Sequence, residues 1–213
     1  MSDQSFMLRY PRNIEIVLDV YPGHFTTSNS HVSHYLDMSM LKSNSWSAKN
    51  VARELSGKYL SGKVVDTIVC MEGMEIVGAY LAEELAKHGS MLMHKEHKIH
   101  VITPSSNVSG QLMFYPGKQK MIAGQNVLLL VALAASGSTI NRALECLRYY
   151  SGALIGISAI FSAAPELLGQ QIQALFYAND IVGYQVSQPS ACDMCREGRK
   201  LDGIINSEGY IRI

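Results

Sequence analysis

The sequence predicts an α/β protein built around an open parallel sheet with helices on both faces. Short β-branched or aliphatic runs alternate with segments that carry apolar residues at helical spacing. The run at 127–131 is continuously apolar, as is typical of a strand covered on both faces. Because alternating strands and helices favour parallel pairing with right-handed crossovers, a doubly wound sheet is the simplest architecture.

The same periodicities place the individual elements. We expect strands at residues 64–70, 99–103, 127–131, 153–161 and 173–177. We expect helices at 48–59, at 75–88 with Gly89 as the end, and from Ile140 to a stop near Gly152. The expected layout is an N-terminal lobe at 1–62 within the same domain, a core at 63–185 and a C-terminal tail at 186–213.

Composition and charge exclude several functional classes. Lysine plus arginine and aspartate plus glutamate number 18 each, so no overall field attracts nucleic acid or an anionic membrane. No apolar run reaches the roughly 20 residues of a membrane span, and the N-terminus lacks a secretory pattern. Four cysteines are too few for a disulfide scaffold at this length. We therefore expect a cytoplasmic protein that holds its ligand through local groups.

The strongest local signal is the turn Ala135-Ser136-Gly137-Ser138-Thr139, which follows the apolar run and precedes a helix. Small residues let main-chain amides approach an anion, the hydroxyl groups add donors, and the helix directs its positive end there. This pattern predicts a phosphate cradle, although an ordinary capped turn remains an alternative. A second turn, Met71-Glu72-Gly73-Met74, follows the strand at 64–70 and is expected at the same edge of the sheet.

A third segment adds a family resemblance. Residues 23–37, Gly-His-Phe-Thr-Thr-Ser-Asn-Ser-His-Val-Ser-His-Tyr-Leu-Asp, resemble the N-terminal motif of orotate phosphoribosyltransferases, with a one-residue gap. The turn at 71–74 resembles that family's pyrophosphate loop. The turn at 135–139 resembles its loop for the 5-phosphate of phosphoribosyl pyrophosphate (PRPP). The resemblance extends over most of residues 23–180 and implies the type I phosphoribosyltransferase fold.

The resemblance also implies a function and site roles. It implies transfer of a phosphoribosyl group between PRPP and a pyrimidine-like base, with Mg²⁺ on the diphosphate and ribose hydroxyls, by a homodimer. A nucleoside monophosphate is the other implied ligand. The implied roles are contact with the ribose phosphate for Ala135, Ser136, Gly137, Ser138 and Thr139, with pyrophosphate for Glu72 and Gly73, and with the base-side lobe for Phe25, His31 and Tyr35.

The chain departs from the family pattern in its charged positions. Val131-Ala132 stands where the family carries two adjacent acidic residues, and His31-Val32 stands where it carries a basic pair. The connection at 104–126 has only Lys118 and Lys120 as cations. Lost acids weaken ribose positioning, and lost cations weaken polyphosphate binding. Two functions stay open: a divergent transferase, and a non-catalytic protein of this fold that binds a nucleotide or phosphoribosyl ligand as a sensor or regulator.

The tail carries one further candidate site. The spacing of Cys192-Asp193-Met194-Cys195 suits two thiolate ligands of a tetrahedral Zn²⁺ ion. The other ligands would come from a histidine or from a second subunit, and two free thiols are the alternative. A structural or partner-binding protein that uses this tail is the third functional class.

Overall fold

The N-terminal part of the chain forms a lobe of antiparallel strands and two helices. The computed structural model of the chain describes residues 5–59, 64–93, 97–206 and 209–213, without the side chains of 88–93. The elements of the lobe are β1 (Phe6–Tyr10), β2 (Asn13–Thr26), β3 (His31–Asp37), α1 (Ser39–Ser43) and α2 (Ser45–Ser56). β2 pairs antiparallel with both β1 and β3, and it buries Ile16, Leu18 and Val20 on one face.

The core is a mostly parallel sheet. Its elements are β4 (Thr67–Cys70), α3 (Glu75–Met93), β5 (His100–Ile102), β6 (Ser105–Ser106), β7 (Leu112–Met113), α4 (Pro116–Gln119), β8 (Asn126–Ala134), α5 (Ser138–Tyr149), β9 (Ala153–Ser162), β10 (Glu166–Leu167) and β11 (Gln170–Tyr177). The strand order is β10-β11-β9-β8-β4-β5, and all neighbours are parallel except the edge strand β10. The prediction of an open parallel sheet is confirmed.

Helices cover both faces of this sheet. The side chains of β8 point alternately to the two faces and enter a different buried cluster on each. Leu128 and Leu130 belong to a buried cluster that includes α2 and α3. Leu129 and Val131 belong to a second cluster that includes α5. The continuous apolar run is therefore part of a strand covered on both sides. This strand ends at Ala134, shortly before α5 begins at Ser138.

The C-terminal tail joins the sheet of the N-terminal lobe. It contains β12 (Val186–Ser187), α6 (Asp193–Arg196), β13 (Gly203–Asn206) and β14 (Gly209–Arg212). This second sheet has the order β12-β3-β2-β13-β14, with β1 on the outer edge of β2. β13 runs parallel to the end of β2, where Gly203 is opposite Phe25. Residues from both ends of the chain thus build one layer, while the division at residues 62 and 185 stays a prediction.

Some element bounds differ from the expected ones. α3 continues through Gly89 to Met93, so Gly89 does not end the helix; glycine inside a helix costs only about 1 kcal/mol. The polar connection at 104–126 contains the short pair β6–β7 and one turn of helix, α4. None of the described helices is long and apolar enough to cross a membrane.

Gly78 sets the distance between α3 and β4. A Cβ atom at Gly78 would overlap Sγ of Cys70, the last residue of β4. We expect Gly78→Ala to lower the free energy of unfolding by about 1–2 kcal/mol, because overpacking outweighs the gain in helix propensity. Urea denaturation measures the change. In a Cys70→Ala background the overlap with Sγ is gone and the 3.2 Å contact with Cγ1 of Val101 remains, so the same substitution is expected to cost clearly less. An equal loss in both backgrounds would contradict this packing account.

Candidate functional site

The turn after β8 presents main-chain amides at the start of α5. Gly137 is the N-cap of α5 and adopts a left-handed conformation (φ 79°), which favours glycine because it has no Cβ. As a glycine it supplies no side-chain cap to the first-turn amides. Ser136 is exposed, and Ser138 and Thr139 are half-buried. The five residues 135–139 therefore form a short, accessible loop at the positive end of a twelve-residue helix.

The turn after β4 lies beside this loop. Glu72 and Gly73 both have positive φ (58° and 77°), a conformation that costs a residue with a Cβ about 1–2 kcal/mol. The Glu72 carboxylate accepts hydrogen bonds from the Thr139 hydroxyl (3.0 Å) and from the Leu133 amide (3.3 Å). These contacts join the two turns at the carboxyl ends of adjacent parallel strands.

Lys42 in α1 brings a cation to the same turn. Its ammonium group donates to the main-chain oxygen of Glu72 at 3.0 Å, and its side chain is half-buried. A Cβ at Gly73 would lie 3.7 Å from Nζ of Lys42. The N-terminal lobe therefore supplies a positive charge beside the 71–74 turn.

The two turns open into a cavity of about 450 Å³. The loop of the N-terminal lobe forms one wall, and Asn29 donates from Nδ2 to the hydroxyl of Ser138 (3.4 Å). The C-terminal tail forms another wall through Ile205, Asn206 and Gly209. The cavity thus lies at the carboxyl edge of the parallel strands, where ligands of open α/β sheets bind.

The charges around the cavity favour an anion. Among the described lining residues, Lys42 and Arg142 are cationic and Glu72 is the one carboxylate. Arg142 in α5 donates to the main-chain oxygen of Gly110 at 3.1 Å. Together with the helix N-terminus, these cations create a local field that the neutral chain as a whole lacks.

The wall of the cavity that β3 supplies carries uncharged polar side chains, His34 and Tyr35. Burial and the positive charge of Arg199 lower the pKa of His34 below its ordinary value, so its imidazole is neutral at physiological pH. Burial, with the nearby Asp37 carboxylate, raises the pKa of Tyr35 to about 12. Both side chains line the cavity as neutral hydrogen-bonding groups.

The structure brings some predicted site residues to the cavity and not others. Residues 135–139, Glu72 and Tyr35 line it, whereas Gly73 is not among the lining residues. Phe25 packs against the rings of Tyr35 and Tyr210 instead. His31 directs Nδ1 towards His24 and Cys195. The roles assigned to all these residues stay predictions.

Solved structures that resemble this chain in fold include phosphoribosyltransferases. The adenine phosphoribosyltransferase of Thermoanaerobacter pseudethanolicus matches with a TM-score of 0.51 and 15% identity, over 81% of this chain and 95% of that one. The chain has the type I phosphoribosyltransferase fold. The adenine phosphoribosyltransferase of Trypanosoma brucei, solved with AMP, pyrophosphate and ribose-5-phosphate, matches this fold with a TM-score of 0.51 and 11% identity, over 76% of this chain and 78% of that one.

A third match is longer than this chain. Leishmania donovani UMP synthase has a TM-score of 0.50 and 21% identity over 75% of this chain, but only 34% of its own length is covered. This chain therefore spans about a third of that protein. No protein-family model matches the sequence, and no curated protein matches it either. The type I phosphoribosyltransferase fold thus rests on the three-dimensional comparison.

Within this fold, the end of β8 is apolar. Val131 is fully buried against the α5 side, and Ala132 lines the cavity without a polar side chain. The Glu72 carboxylate reaches the next residue of the strand, Leu133, from the neighbouring turn. An acidic group is therefore present at the strand ends, but it comes from the turn after β4 and not from β8.

A separate cluster of histidine and cysteine side chains lies where the N-terminal lobe meets the tail. His24 and His31 meet Cys192 and Cys195, with all four ligand atoms within 4.8 Å of one another. The predicted pair Cys192 and Cys195 is thus joined by two histidines of the same chain. Only Cys195 of the four is exposed.

Sequence reasoning missed Lys42 and His24. Lys42 is a single lysine in a short helix, and no local pattern connects it with the 71–74 turn 30 positions away. His24 lies in the stretch that resembles the orotate enzymes, but its partners are 168 and 171 positions away. In both cases the signal is a three-dimensional contact, so the sequence alone offers no means of finding it.

Proposed function

We propose that this protein is a phosphoribosyltransferase of the orotate type, which transfers a phosphoribosyl group between PRPP and a pyrimidine-like base. The observation that supports it is the joining of the glycine-containing loop 135–139 with Lys42 around one cavity. The loop would bind the ribose 5-phosphate through amides of the α5 N-terminus, and Lys42 would neutralise the pyrophosphate. We also propose a cytoplasmic homodimer, as the family resemblance and the composition imply.

The reaction displaces pyrophosphate from C1 of the ribose by a nitrogen of the base. Protein groups in such a reaction mainly position the reactants and stabilise developing charge. The loop and Lys42 would fix the two ends of PRPP, and neutral His34 and Tyr35 would present hydrogen-bonding groups to the base. A cavity of about 450 Å³ is of the size that small-molecule sites have.

The residues present fit a magnesium ion that arrives with the ligand. Mg²⁺ is commonly held by one or two carboxylates together with substrate phosphates. Glu72 is the one carboxylate among the described lining residues, so it would supply the protein ligand. The ion would supply charge neutralisation on the diphosphate.

A non-catalytic sensor is the second candidate, and the apolar end of β8 favours it. Val131 and Ala132 cannot hold ribose hydroxyls or a metal through their side chains. A sensor needs the phosphate cradle but not the acidic groups. The two candidates therefore agree on ligand binding and differ in turnover.

Pyrophosphate release from PRPP tests the proposal. We expect Mg²⁺-dependent release with orotate or another pyrimidine-like base, and Glu72→Gln is expected to lower the rate about 10- to 100-fold because the carboxylate charge is lost. Glu83→Gln, which removes an exposed carboxylate of α3, is the matched control. PRPP that binds but releases no pyrophosphate with any base tested would support the sensor and contradict the transferase.

A further inference from the structure

His24, His31, Cys192 and Cys195 have the spacing of a tetrahedral metal site. His24 Nε2 lies 3.1 Å from His31 Nδ1 and 3.5 Å from Cys192 Sγ. Cys195 Sγ lies 3.6 Å from His24 Nε2 and 3.3 Å from His31 Nδ1. With metal bonds of about 2.05 Å to nitrogen and about 2.3 Å to sulfur, a tetrahedral zinc site has N···N of about 3.3 Å and N···S of about 3.5 Å. We propose that these four residues bind one structural Zn²⁺ ion.

Hydrogen bonds around His24 fix its tautomer and its position, so that one ring nitrogen is free to bind a metal. Its Nδ1 lies 2.9 Å from the main-chain oxygen of Arg199, so Nδ1 carries the proton and donates it to that oxygen. Nε2 is then the unprotonated nitrogen, and it is the one that faces the thiols. The main chain of His24 is held as well, because its amide donates to Asp202 and its oxygen accepts from the Asp202 amide. A hydrogen bond from the second ring nitrogen to a carbonyl is the usual support of a zinc-bound histidine.

Burial distinguishes this group from a chance surface cluster. His24 is 0% exposed, Cys192 1% and His31 8%. Cys195 alone of the four is exposed, so the two imidazoles and the Cys192 thiol meet inside the protein. Such polar groups rarely meet there without a shared ligand, since each needs a partner. The cysteines are free thiols, and each would lose its proton when the metal binds. A soft, tetrahedral set of this composition suits zinc better than Mg²⁺ or Ca²⁺.

The donor set is complete, which makes the site structural and not catalytic. Four protein ligands leave no open position for water or substrate. None of the four residues lines the cavity between the two turns. The ion would therefore act through the fold and not on the reacting ligand.

The position of the site indicates what the metal holds together. His24 lies in β2 and His31 begins β3. In the tail, Cys192 is the N-cap of α6 and Cys195 lies within that helix. The chain then continues into β13, which pairs with the end of β2 and lines the cavity with Ile205 and Asn206. A metal bridge across 168 positions of sequence would fasten this tail to the N-terminal lobe. Zinc thus stabilises the position of the tail segment, β13, that forms one wall of the cavity.

Metal analysis of the untagged full-length protein tests the inference. We expect about one zinc per chain, and X-ray absorption at the zinc edge should show two sulfur and two nitrogen neighbours at about 2.3 and 2.05 Å. This measurement needs no variant and no PRPP, so its result is independent of the proposed transferase activity. Protein that folds without bound zinc when expressed with zinc present, or zinc without sulfur neighbours, would overturn the proposal.

Variants then assign the ligands. Cys195→Ser is expected to lose bound zinc and to lower Tm by roughly 10 °C, because the stabilisation by a tightly bound ion is lost. His100→Gln, an exposed histidine outside the cluster, is the control and is expected to retain both zinc and Tm. If Cys195→Ser cannot be purified, release of zinc from the wild-type protein by a mercurial reagent that titrates thiols gives the same information. Zinc content that is unchanged in Cys195→Ser, or zinc that stays bound after all thiols have reacted, would contradict the assignment.

Discussion

Gly137→Glu is expected to lower the affinity for PRPP by at least about 100-fold. The substitution places a carboxylate in the loop that would bind the ribose phosphate, and two lost hydrogen bonds to a charged group already account for this factor. The left-handed φ of 79° and the contact of a new Cβ with Leu168 (3.3 Å) would also distort the loop. Calorimetric titration with PRPP measures the change in affinity.

The control for this substitution is Gly124→Glu. Gly124 has a similar φ of 71°, and a Cβ there meets nothing within 4 Å. It precedes β8, so it lies at the opposite edge of the sheet from the cavity. Both variants carry the same charge change and a similar backbone cost of about 1–2 kcal/mol. If both bind PRPP equally well, the 135–139 loop is not the phosphate site.

Lys42→Met is expected to weaken PRPP binding about 10- to 100-fold. The ammonium group lies against the 71–74 turn, where the pyrophosphate would bind, and a charge-assisted hydrogen bond contributes about 1.5–3 kcal/mol. Methionine keeps a similar length and apolar packing, so mainly the charge is removed. The remaining binding should also depend less on ionic strength.

Ribose 5-phosphate separates this effect from a general loss of binding. That ligand has no pyrophosphate, so its affinity is expected to be nearly the same in Lys42→Met and in the wild type. Lys58→Met removes an exposed lysine after α2 and serves as the charge control. An equal loss for both ligands would mean that Lys42 supports the fold of the turn and does not contact pyrophosphate.

The core of the fold could be predicted because its signals are local. The run 127–131 is apolar on both faces, and the small-residue turn after it marks the end of a strand and the start of a helix. β8 and α5 appear in the structure at these positions. Of the predicted strand at 64–70, the structure has Thr67–Cys70 as β4, which pairs with β5 and β8.

The second sheet could not be predicted in the same way. β2 is interrupted by Pro22 and Gly23, where the pairing with β3 shifts register. β3 itself is almost wholly buried although it contains two histidines and a serine, so its composition is that of a loop. Its burial depends on β12 and on the rest of this sheet, to which the tail contributes β13. Such nonlocal pairing leaves no periodic signal in either segment.

The same reason limits the prediction of the site. The 135–139 loop is continuous in sequence and was recognised from its residue types. Lys42, by contrast, reaches Glu72 only because α1 packs beside the 71–74 turn. The histidines of the metal cluster meet the CxxC segment only because the tail returns to the N-terminal lobe. Contacts between distant segments therefore bring Lys42 to the 71–74 turn and the two histidines to the two cysteines.

Calorimetric titration of the wild-type protein with PRPP tests the central claim most directly. We expect about one PRPP bound per chain, with tighter binding when Mg²⁺ is present, because the loop 135–139 and Lys42 together line one anion-binding site. Absence of binding by correctly folded protein, with and without Mg²⁺, would contradict both the transferase and the sensor.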